Sequence, residues 1–350
     1  MIARALKKVY GKVSKFKNKF NIVVRAKRYY KIPLSKRIFC YIHGFQSDEY
    51  TQYALDRNDY REYITEYERL QSRNINSDYK MIMDNKLIYN EVFGKYIKVP
   101  EIFMWIKQGI AYPIQWKNNE VLELLKGKQR LVIKPIGAGG GVGVHILKYE
   151  HENIYCDGKE VTYAEIEKLV KSYNQAIITE FIVQGEFGND LFDKTVNTIR
   201  IVVAKSKNET EYRIIAAVQR IGREASIPVD NLCNGGLCCA VDLESGRLSK
   251  GTSYVNKDGS APIPYAKHPD TGVQLEGKYI PDWDSVKEQI LNVSRRFPYI
   301  NFFAWDVVIT EDGLCALEVN ASSGLCMFQL EHGIRNTAFG DIYKSYGIIK

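Results

Sequence analysis

The sequence predicts an α+β protein built from two lobes, with a basic helical extension at its N-terminus. Two apolar runs separated by the turn Glu311-Asp312-Gly313 predict a β-hairpin over residues 302–324. A second pair of apolar runs flanks a glycine-rich tip at residues 137–143. Helical patterns over residues 161–172 and 284–297 separate the strands. The 350 residues are enough for two or three lobes with a sizeable core.

The positive charge of the chain is concentrated at its N-terminus. The net charge is +8, yet residues 1–47 hold 13 Lys and Arg and no acid, whereas the remainder has a net charge of −5. Apolar residues recur at alternating spacings of four and three within residues 1–24, which predicts an amphipathic helix. Residues 1–30 could contact an anionic membrane surface, pack on the protein itself or pair with a second chain. Nucleic acid is not expected as a partner, because nothing else in the chain supports it.

The cysteines favour a reducing compartment. Seven cysteines are present without a CxxC pair, and two of them, Cys238 and Cys239, are adjacent. No apolar run approaches the roughly 20 residues that span a bilayer, and the N-terminus lacks the pattern of a secretory signal. These features predict a cytoplasmic protein, and the basic helix adds the expectation of attachment to the inner face of the membrane.

The C-terminal hairpin is expected to place three oxygen-bearing side chains on one face. If the turn centres on Asp312, Asp306 lies opposite Glu318, and alternation puts Asn320 on the same face. Burying two carboxylates without a cation is unfavourable. Two acids and an amide oxygen are the ligands that suit Mg²⁺, so the hairpin is interpreted as a metal site. The alternative is a hairpin with two solvated acids.

The glycine-rich tip is interpreted as a phosphate-binding hairpin. It contains no GK[ST] sequence and fits no dinucleotide-binding fingerprint. Because one strand enters the tip and another leaves it directly, nearly bare backbone is available to offer N–H groups to phosphates. Lys134, on the incoming strand, supplies a point charge for them. The alternative is a hairpin tip without a ligand.

Three further stretches complete the pattern. Arg200 stands alone among the β-branched residues of a predicted strand at 195–204, where it needs either an anionic ligand or a structural ion pair. Residues 176–183 predict another strand, and residues 258–282 are rich in Pro and Gly and are interpreted as an active-site loop. A short helix follows Asn85, which is a favourable N-cap residue.

Taken in order, these pieces resemble the ATP-grasp superfamily over about residues 80–335. A closer resemblance is to its sugar-transfer-associated branch, related to teichuronopeptide-type enzymes, on the motif T-V-N-T-I-R (195–200) and on Gly44-Phe45 with Asp48-Glu49-Tyr50. The resemblance implies an ATP-grasp fold, in which two α+β lobes sandwich ATP. It divides the chain into a helical N-terminal region (1–76), a pre-domain with the small lobe (77–185) and a large lobe with the metal hairpin (186–350). The basic N-terminal third departs from the α/β pre-domain of many such ligases.

The resemblance also implies a role for each candidate residue. The phosphates of ATP would be held by Lys86, Lys134, Gly139, Gly140 and Gly141. The adenine would be met by Glu180, Phe181 and Ile182, and the ribose by Glu186. Magnesium would be bound by Asp306, Glu318 and Asn320. The transferred phosphate or the acceptor would be held by the catalytic residues Arg200, Arg220 and Asn231, beside the Gly235-Gly236 pair.

The activity implied by the resemblance is ATP- and Mg²⁺-dependent ligation of a carboxylate to an amine through an acyl phosphate. The expected substrates are small-molecule or glycan carboxylates and amines, joined during the biosynthesis of capsular or cell-wall polysaccharide. One alternative is an ATP-grasp kinase that phosphorylates the hydroxyl of a sugar or small molecule. Another is a nucleotide-binding scaffold without turnover. The oligomeric state is left open.

Overall fold

The computed structural model describes residues 32–137, 139–254 and 259–350, which form two antiparallel sheets covered by helices and so have the α+β class expected. The helix predicted over residues 1–24 lies outside the described residues. Within the described part, the helices that precede the first strand are α1 (Leu34–His43), α2 (Ser47–Gln52), α3 (Glu66–Ser72), α4 (Lys80–Asp84) and α5 (Lys86–Phe93). Asn85 caps α5 as predicted, because its side chain accepts hydrogen bonds from the backbone of Leu87 and Ile88.

The small lobe is a seven-stranded antiparallel sheet. Its elements are β1 (Ile102–Lys107), β2 (Ile110–Pro113), α6 (Val121–Lys128), β3 (Arg130–Pro135), β4 (His145–Glu150), β5 (Asn153–Cys156), β6 (Lys159–Val161), α7 (Tyr163–Ser172) and β7 (Gln175–Glu180). The strand order is β2-β1-β7-β3-β4-β5-β6. Along β3, Leu131 and Ile133 are buried in the lobe's core, which also contains residues of α6 and α7. Alternation therefore places Val132 and Lys134 on the opposite face of the sheet.

The large lobe is a second seven-stranded antiparallel sheet. Its elements are α8 (Glu186–Leu191), β8 (Ile199–Ala204), β9 (Arg213–Ile221), β10 (Leu237–Ala240), β11 (Gly251–Ser253), β12 (Pro264–Tyr265), α9 (Trp283–Arg295), β13 (Phe302–Thr310), β14 (Gly313–Asn320) and α10 (Ala338–Ser345). The strand order is β12-β11-β10-β9-β8-β13-β14. Phe303 and Trp305 of β13 share one core cluster with α9, whereas Phe302 and Ala304 share another with α10. Because both faces are covered, β13 is apolar almost throughout.

Helices α4 and α5, which belong to the predicted pre-domain and small lobe (77–185), contact both lobes, since Leu87 of α5 packs on Ile102 and Ile177 of the small lobe. Met83 and Phe93 belong to the core cluster of the large sheet. The hydroxyl of Tyr89 donates to the carbonyl of Ala316 on β14 at 2.7 Å. The sequence shows only that these helices are amphipathic, and their apolar faces fit either lobe.

Asn76 is one of the side chains that fasten the N-terminal region to the large lobe. The Asn76 amide nitrogen donates to the carbonyls of Phe302, at 2.7 Å, and Ala321, at 3.3 Å. Its oxygen accepts from the backbone nitrogens of Asn301, at 2.8 Å, and Phe302, at 3.0 Å. The neighbouring Ile75 is buried in the core cluster beneath α10. Residues 75–76 are therefore held against the start of β13 and the end of β14.

Some predicted elements end elsewhere. The strand predicted at 176–183 stops at Glu180, and the one predicted at 195–204 starts at Ile199. The described part of the Pro/Gly-rich segment, residues 259–282, packs outside the central cavity described below, so its interpretation as an active-site loop is wrong. There the His268 ring bonds the carbonyl of Gly222 at 2.8 Å and Lys278 pairs with Asp190. In residues 32–137, 139–254 and 259–350, the structure contains no helix with the length and apolar character of a membrane span.

Candidate active site

A cavity of about 770 Å³ lies between the two sheets and receives residues from both lobes. Its lining is strongly charged, with seven cationic and five acidic side chains. The cations are Arg69, Arg73, Lys80, Lys86, Lys134, Arg200 and Arg220, and the acids are Asp84, Glu180, Asp230, Asp306 and Glu318. Nearly every candidate residue predicted from the sequence lies in this lining. The positions of these residues along the chain do not by themselves show how close together they lie.

The hairpin of β13 and β14 brings the three predicted oxygen donors together. Asp306 is paired with Glu318 in the register of the two strands, which confirms the predicted pairing. Asn320 lies two residues further along β14, on the same face, and its amide contacts a Glu318 carboxylate oxygen at 3.2 Å. A bulge between Asp306 and Val307 shifts the register only on the turn side of these residues. Asp306, Glu318 and Asn320 therefore lie on one face of the hairpin, as predicted.

Asp306 is buried, with 4% of its surface exposed, and is compensated by two arginines. Arg200 binds both of its carboxylate oxygens, and Arg220 donates to Oδ2 at 3.0 Å. Burial alone would raise the pKa of Asp306, but the two guanidinium groups outweigh it and lower the pKa to about 2. Of the two predicted partners for Arg200, the structure shows the ion pair. The burial of Asp306 consequently needs no metal ion.

Arg220 is held by a second acid that the sequence analysis missed. Its Nη2 atom donates to Asp230 at 2.5 Å, and the backbone and hydroxyl of Thr198 donate to the same carboxylate at 2.9 and 2.6 Å. Burial lowers the pKa of Arg220, but the negative charges of Asp230 and Asp306 raise it by a larger amount. The pKa is therefore above its ordinary value, and the side chain stays charged. The available signal for Asp230 was an acid directly before Asn231 in an otherwise apolar stretch.

Two lysines approach the hairpin from different elements. Lys86, at the start of α5, lies 3.6 Å from Glu318 and 3.5 Å from the carbonyl of Ile136. Lys134 lies on β3 of the small lobe, where burial and the charge of Lys86 lower its pKa to about 8. Two cations held close together in this way form a favourable environment for a polyanion.

The glycine-rich tip closes one side of the cavity. Gly139, Gly140 and Gly141 line it, and the latter two have φ angles of +71° and +74°, which favour glycine. A Cβ atom on Gly141 would lie only 2.9 Å from the Val229 side chain. The amide of Asn231 donates to the carbonyl of Gly140 at 2.5 Å. Asn231 therefore bridges the two lobes, while the Gly235-Gly236 pair lies outside the lining.

The predicted adenine end is only partly assembled. Glu180, Phe181 and Ile182 line the cavity where β7 ends. Glu186 does not, because the chain turns away after Ile182 and Glu186 begins α8 with an exposed side chain. Its backbone nitrogen donates instead to Glu311 at 2.8 Å. The structure thus leaves Glu186 away from the position where a ribose contact was expected.

Chemically, the donors present suit a divalent cation with a polyphosphate. Asp306, Glu318 and Asn320 supply hard oxygen atoms at one spot, and Glu318 is half-buried at the cavity surface. The neighbouring lysines and the bare backbone of the tip are suited to phosphate oxygens. The arginines on Asp306 are the groups that must share or release its carboxylate when a cation is bound. Once the arginines release part of the Asp306 carboxylate, the residues fit Mg²⁺ and a nucleoside triphosphate.

Residues 69–84 contribute a part of the lining to which the sequence pattern assigned no role. Arg69, Arg73, Lys80, Met83 and Asp84 all reach the cavity. The carboxylate of Asp84 accepts from the backbone of Ala321 at 3.2 Å, next to the metal-like hairpin. Polar residues that line a cavity have the same sequence pattern as residues that face solvent, so no signal in this stretch distinguished them.

Comparisons with solved structures find similar chains at low identity. An N5-carboxyaminoimidazole ribonucleotide synthetase in complex with ADP is 12% identical, with a TM-score of 0.39, over 69% of this chain and 45% of that one. The corresponding values for the D-alanine–D-alanine ligase of Bacillus anthracis are 13%, 0.37, 76% and 63%. For the ATP-grasp ligase PsnB with a precursor peptide and AMPPNP they are 12%, 0.39, 78% and 62%. The chain thus spans less than two thirds of each of these proteins.

A comparison with sequence families gives the more direct result. No curated protein matches the chain. The family model for sugar-transfer associated ATP-grasp proteins, however, matches residues 65–339, which is well over half of the sequence and includes the whole cavity-forming hairpin. The chain therefore belongs to the sugar-transfer-associated ATP-grasp family.

Proposed function

We propose that the chain is an ATP- and Mg²⁺-dependent ligase that joins a carboxylate to an amine through an acyl phosphate. The observation that carries the proposal is the convergence, in one cavity, of an oxygen triad, two lysines, two arginines and a bare glycine tip. Because the family is associated with sugar transfer, we further propose a uronic acid or sugar amine of capsular or cell-wall polysaccharide as a substrate.

The reaction requires two displacements. A carboxylate oxygen attacks the γ-phosphorus of ATP and ADP leaves, so the carboxylate becomes an acyl phosphate. The amine nitrogen then attacks the acyl carbon, phosphate leaves with the bridging oxygen, and the amine loses a proton to water. Phosphoryl transfer depends on positioning and on neutralising charge, so it needs no nucleophilic side chain.

The residues of the cavity match these requirements. Lys86 and Lys134 would hold phosphate oxygens, and Arg200 and Arg220 would turn part of their hydrogen bonding from Asp306 to the transferred phosphate. Asp306, Glu318 and Asn320 would hold Mg²⁺, which supplies charge neutralisation at the phosphates. The glycine tip, bonded to Asn231, would keep water from the acyl phosphate.

The experiment that tests the proposal is ADP release with Mg·ATP against a panel of amino acids, amines and uronic-acid sugars. A carboxylate and an amine that are both needed for release, with an amide as product, would establish the ligase. Release driven by a lone hydroxyl compound, with a stable phosphorylated product, would replace it with the kinase. Nucleotide binding without ADP release, also in the presence of membrane-fraction glycans, would favour the scaffold.

Nucleotide affinity is expected to fall as the pH rises above about 8. The pKa of Lys134 is lowered to about 8 in the cavity, and bound phosphates favour its charged form. Nucleotide binding is therefore strongest below the pKa that Lys134 has in the nucleotide-free protein. Above that pKa the dissociation constant rises, by up to roughly tenfold per pH unit. The dissociation constant of Mg·ATP, measured between about pH 7 and pH 9.5 by calorimetry, checks this.

The matched variants are Lys134→Gln and Lys126→Gln. Lys134→Gln is expected to bind the nucleotide more weakly at pH 7, and its affinity should no longer fall as the pH rises. Lys126→Gln, on the exposed side of α6, should keep the pH dependence of the native chain. An equally steep decline in Lys134→Gln would show that another group titrates.

We also propose that the N-terminal region attaches the protein to an anionic membrane surface. Helix α1 supports this, because Leu34, Ile38 and Ile42 are 69%, 51% and 57% exposed and recur every four residues. The buried Cys40 lies on the opposite side of the helix. An exposed apolar stripe in a segment of 13 cations without an acid matches a surface that offers acyl chains and negative charge.

Replacing the stripe by Leu34→Ser, Ile38→Ser and Ile42→Ser is expected to weaken vesicle binding about tenfold. The measurement is co-sedimentation with phosphatidylcholine vesicles containing about 30% phosphatidylglycerol, at low salt and at about 0.5 M salt. The control replaces Ile110 and Ile114 by serine, since these exposed isoleucines lie on the small lobe. Binding that survives in the stripe variant would contradict the proposed role of α1.

A further inference from the structure

Three of the cations that line the cavity have no role in the reaction described above. Arg69 lies on α3, Arg73 directly follows that helix, and Lys80 is the first residue of α4. The predicted adenine contacts, Glu180 to Ile182, come from the small lobe at the end of β7. The N-terminal cations instead come from the region that packs on the large lobe beside the hairpin.

The backbone that carries these cations is firmly placed. Asn76, between Arg73 and Lys80, makes the four hydrogen bonds to residues 301, 302 and 321 described above. Helix α3 begins at a capping box in which Thr65 and Glu68 exchange hydrogen bonds, and Arg335 pairs with Glu68. A site built on fixed backbone can position a ligand with little loss of conformational freedom.

The cations differ in how they are paired. Arg69 is occupied, because both ends of its guanidinium contact Glu66. Lys86, Arg200 and Arg220 also face acids. Arg73 and Lys80 are exposed at the cavity, and within the described ranges 32–137, 139–254 and 259–350 neither forms an ion pair. Their charges are therefore available to a ligand.

The loop that follows Asn320 connects these cations with the reacting groups. Ala321 donates to Asp84 at 3.2 Å and accepts from Asn76 at 3.3 Å, so the loop lies beside the segment that carries Arg73 and Lys80. In the same loop, Ser323 accepts a hydrogen bond from Arg200 at 2.9 Å. Arg73 and Lys80 thus line the same cavity as the groups expected to meet the transferred phosphate.

We propose that Arg73 and Lys80 form a subsite for a second anionic group of the substrate, distinct from the carboxylate that is phosphorylated. This inference rests on the proposed function, because it assumes that the nucleotide occupies the cavity. The group is a carboxylate or a phosphate, since guanidinium and ammonium groups both bind these anions through charge-assisted hydrogen bonds. The substrate is accordingly an acidic sugar derivative with at least two negative charges.

The test uses the full chain saturated with Mg·AMP-PNP, so that the position of the γ-phosphate is filled. Inorganic phosphate is titrated in one arm and glucuronate in the other, by isothermal titration calorimetry. We expect one anion per chain, with the affinity at least tenfold weaker in the double variant Arg73→Gln/Lys80→Gln, because each charged hydrogen bond contributes strongly. Stronger binding of phosphate identifies the second anionic group of the substrate as a phosphate, and stronger binding of glucuronate identifies it as a carboxylate.

The control is Lys95→Gln, an exposed lysine outside the cavity lining, which should leave anion binding unchanged. The proposal is overturned if the native chain binds neither anion, if the double variant binds as well as the native chain, or if it loses AMP-PNP affinity equally. The fate of the ligase is decided separately by ADP release. If the double variant loses anion binding but the native chain ligates no substrate pair, the subsite is supported and the proposed reaction is not.

Discussion

Glu318→Gln is expected to reduce ADP release about 100- to 1,000-fold, or roughly 3–4 kcal/mol in activation free energy, while AMP-PNP still binds. The substitution keeps the size of the side chain and its contact with Asn320 but removes the charge that faces Lys86. A divalent cation at the hairpin would lose one of its two carboxylates. Turnover and nucleotide affinity are measured on the same preparations.

The control for this variant is Glu311→Gln. Glu311 lies in the turn of the same hairpin and accepts a hydrogen bond from the backbone of Glu186, away from the cavity. It should retain nearly full turnover. Native-like ADP release in Glu318→Gln would mean that the hairpin does not hold the metal used in the reaction.

Arg200→Met is expected to destabilise the fold by about 3–5 kcal/mol at neutral pH, because it leaves the carboxylate of Asp306 buried with only Arg220 as a cationic partner. Urea unfolding followed by tryptophan fluorescence measures the free energy of unfolding. The control, Arg213→Met on the neighbouring strand, removes a half-exposed ion pair with Glu209 and should cost no more than about 1 kcal/mol.

The same pair of proteins gives a pH test. The pKa of Asp306 is lowered to about 2, so its stabilising contribution is complete above the ordinary pKa near 4 and is lost as the pH falls towards 2. In Arg200→Met the pKa of Asp306 rises, and protonation relieves the unpaired charge. The difference in stability between native and variant chains should therefore shrink in acid. A difference that is constant from about pH 6 to pH 3 would contradict the assigned ion pair.

Local patterns predicted the parts of the fold that depend on local geometry. A turn centred on Asp312 predicted that Asp306 pairs with Glu318, and it does. Nearer the turn the register differs by one residue, because Thr310 pairs with Gly313, and the bulge after Asp306 restores the predicted pairing. The glycine tip lies between two strands as its composition required. Alternation follows from backbone geometry within a few residues, so a single sequence is sufficient for it, whereas the bulge that shifts the register was not predicted.

What the sequence did not predict depends on contacts between distant segments. Arg73 and Lys80 have the pattern of surface residues, and only the docking of Asn76 brings them to the cavity. Arg200 is consistent with a ligand or an ion pair until Asp306 is placed beside it. Residues 259–282 have the composition of a loop, but composition does not determine which side of the sheet a loop covers.

The Asn76 contacts have a consequence for the order of folding. They join positions separated by 225 to 245 residues, among the most distant pairs in the chain. Closing so long a loop carries an entropic penalty and is slow, so the N-terminal segment docks only after the last hairpin has formed. On the ribosome, the part of the cavity lined by Arg73 and Lys80 therefore remains unfinished until nearly the whole polypeptide has emerged. A nascent chain, or one truncated before Ala321, would lack this part of the cavity.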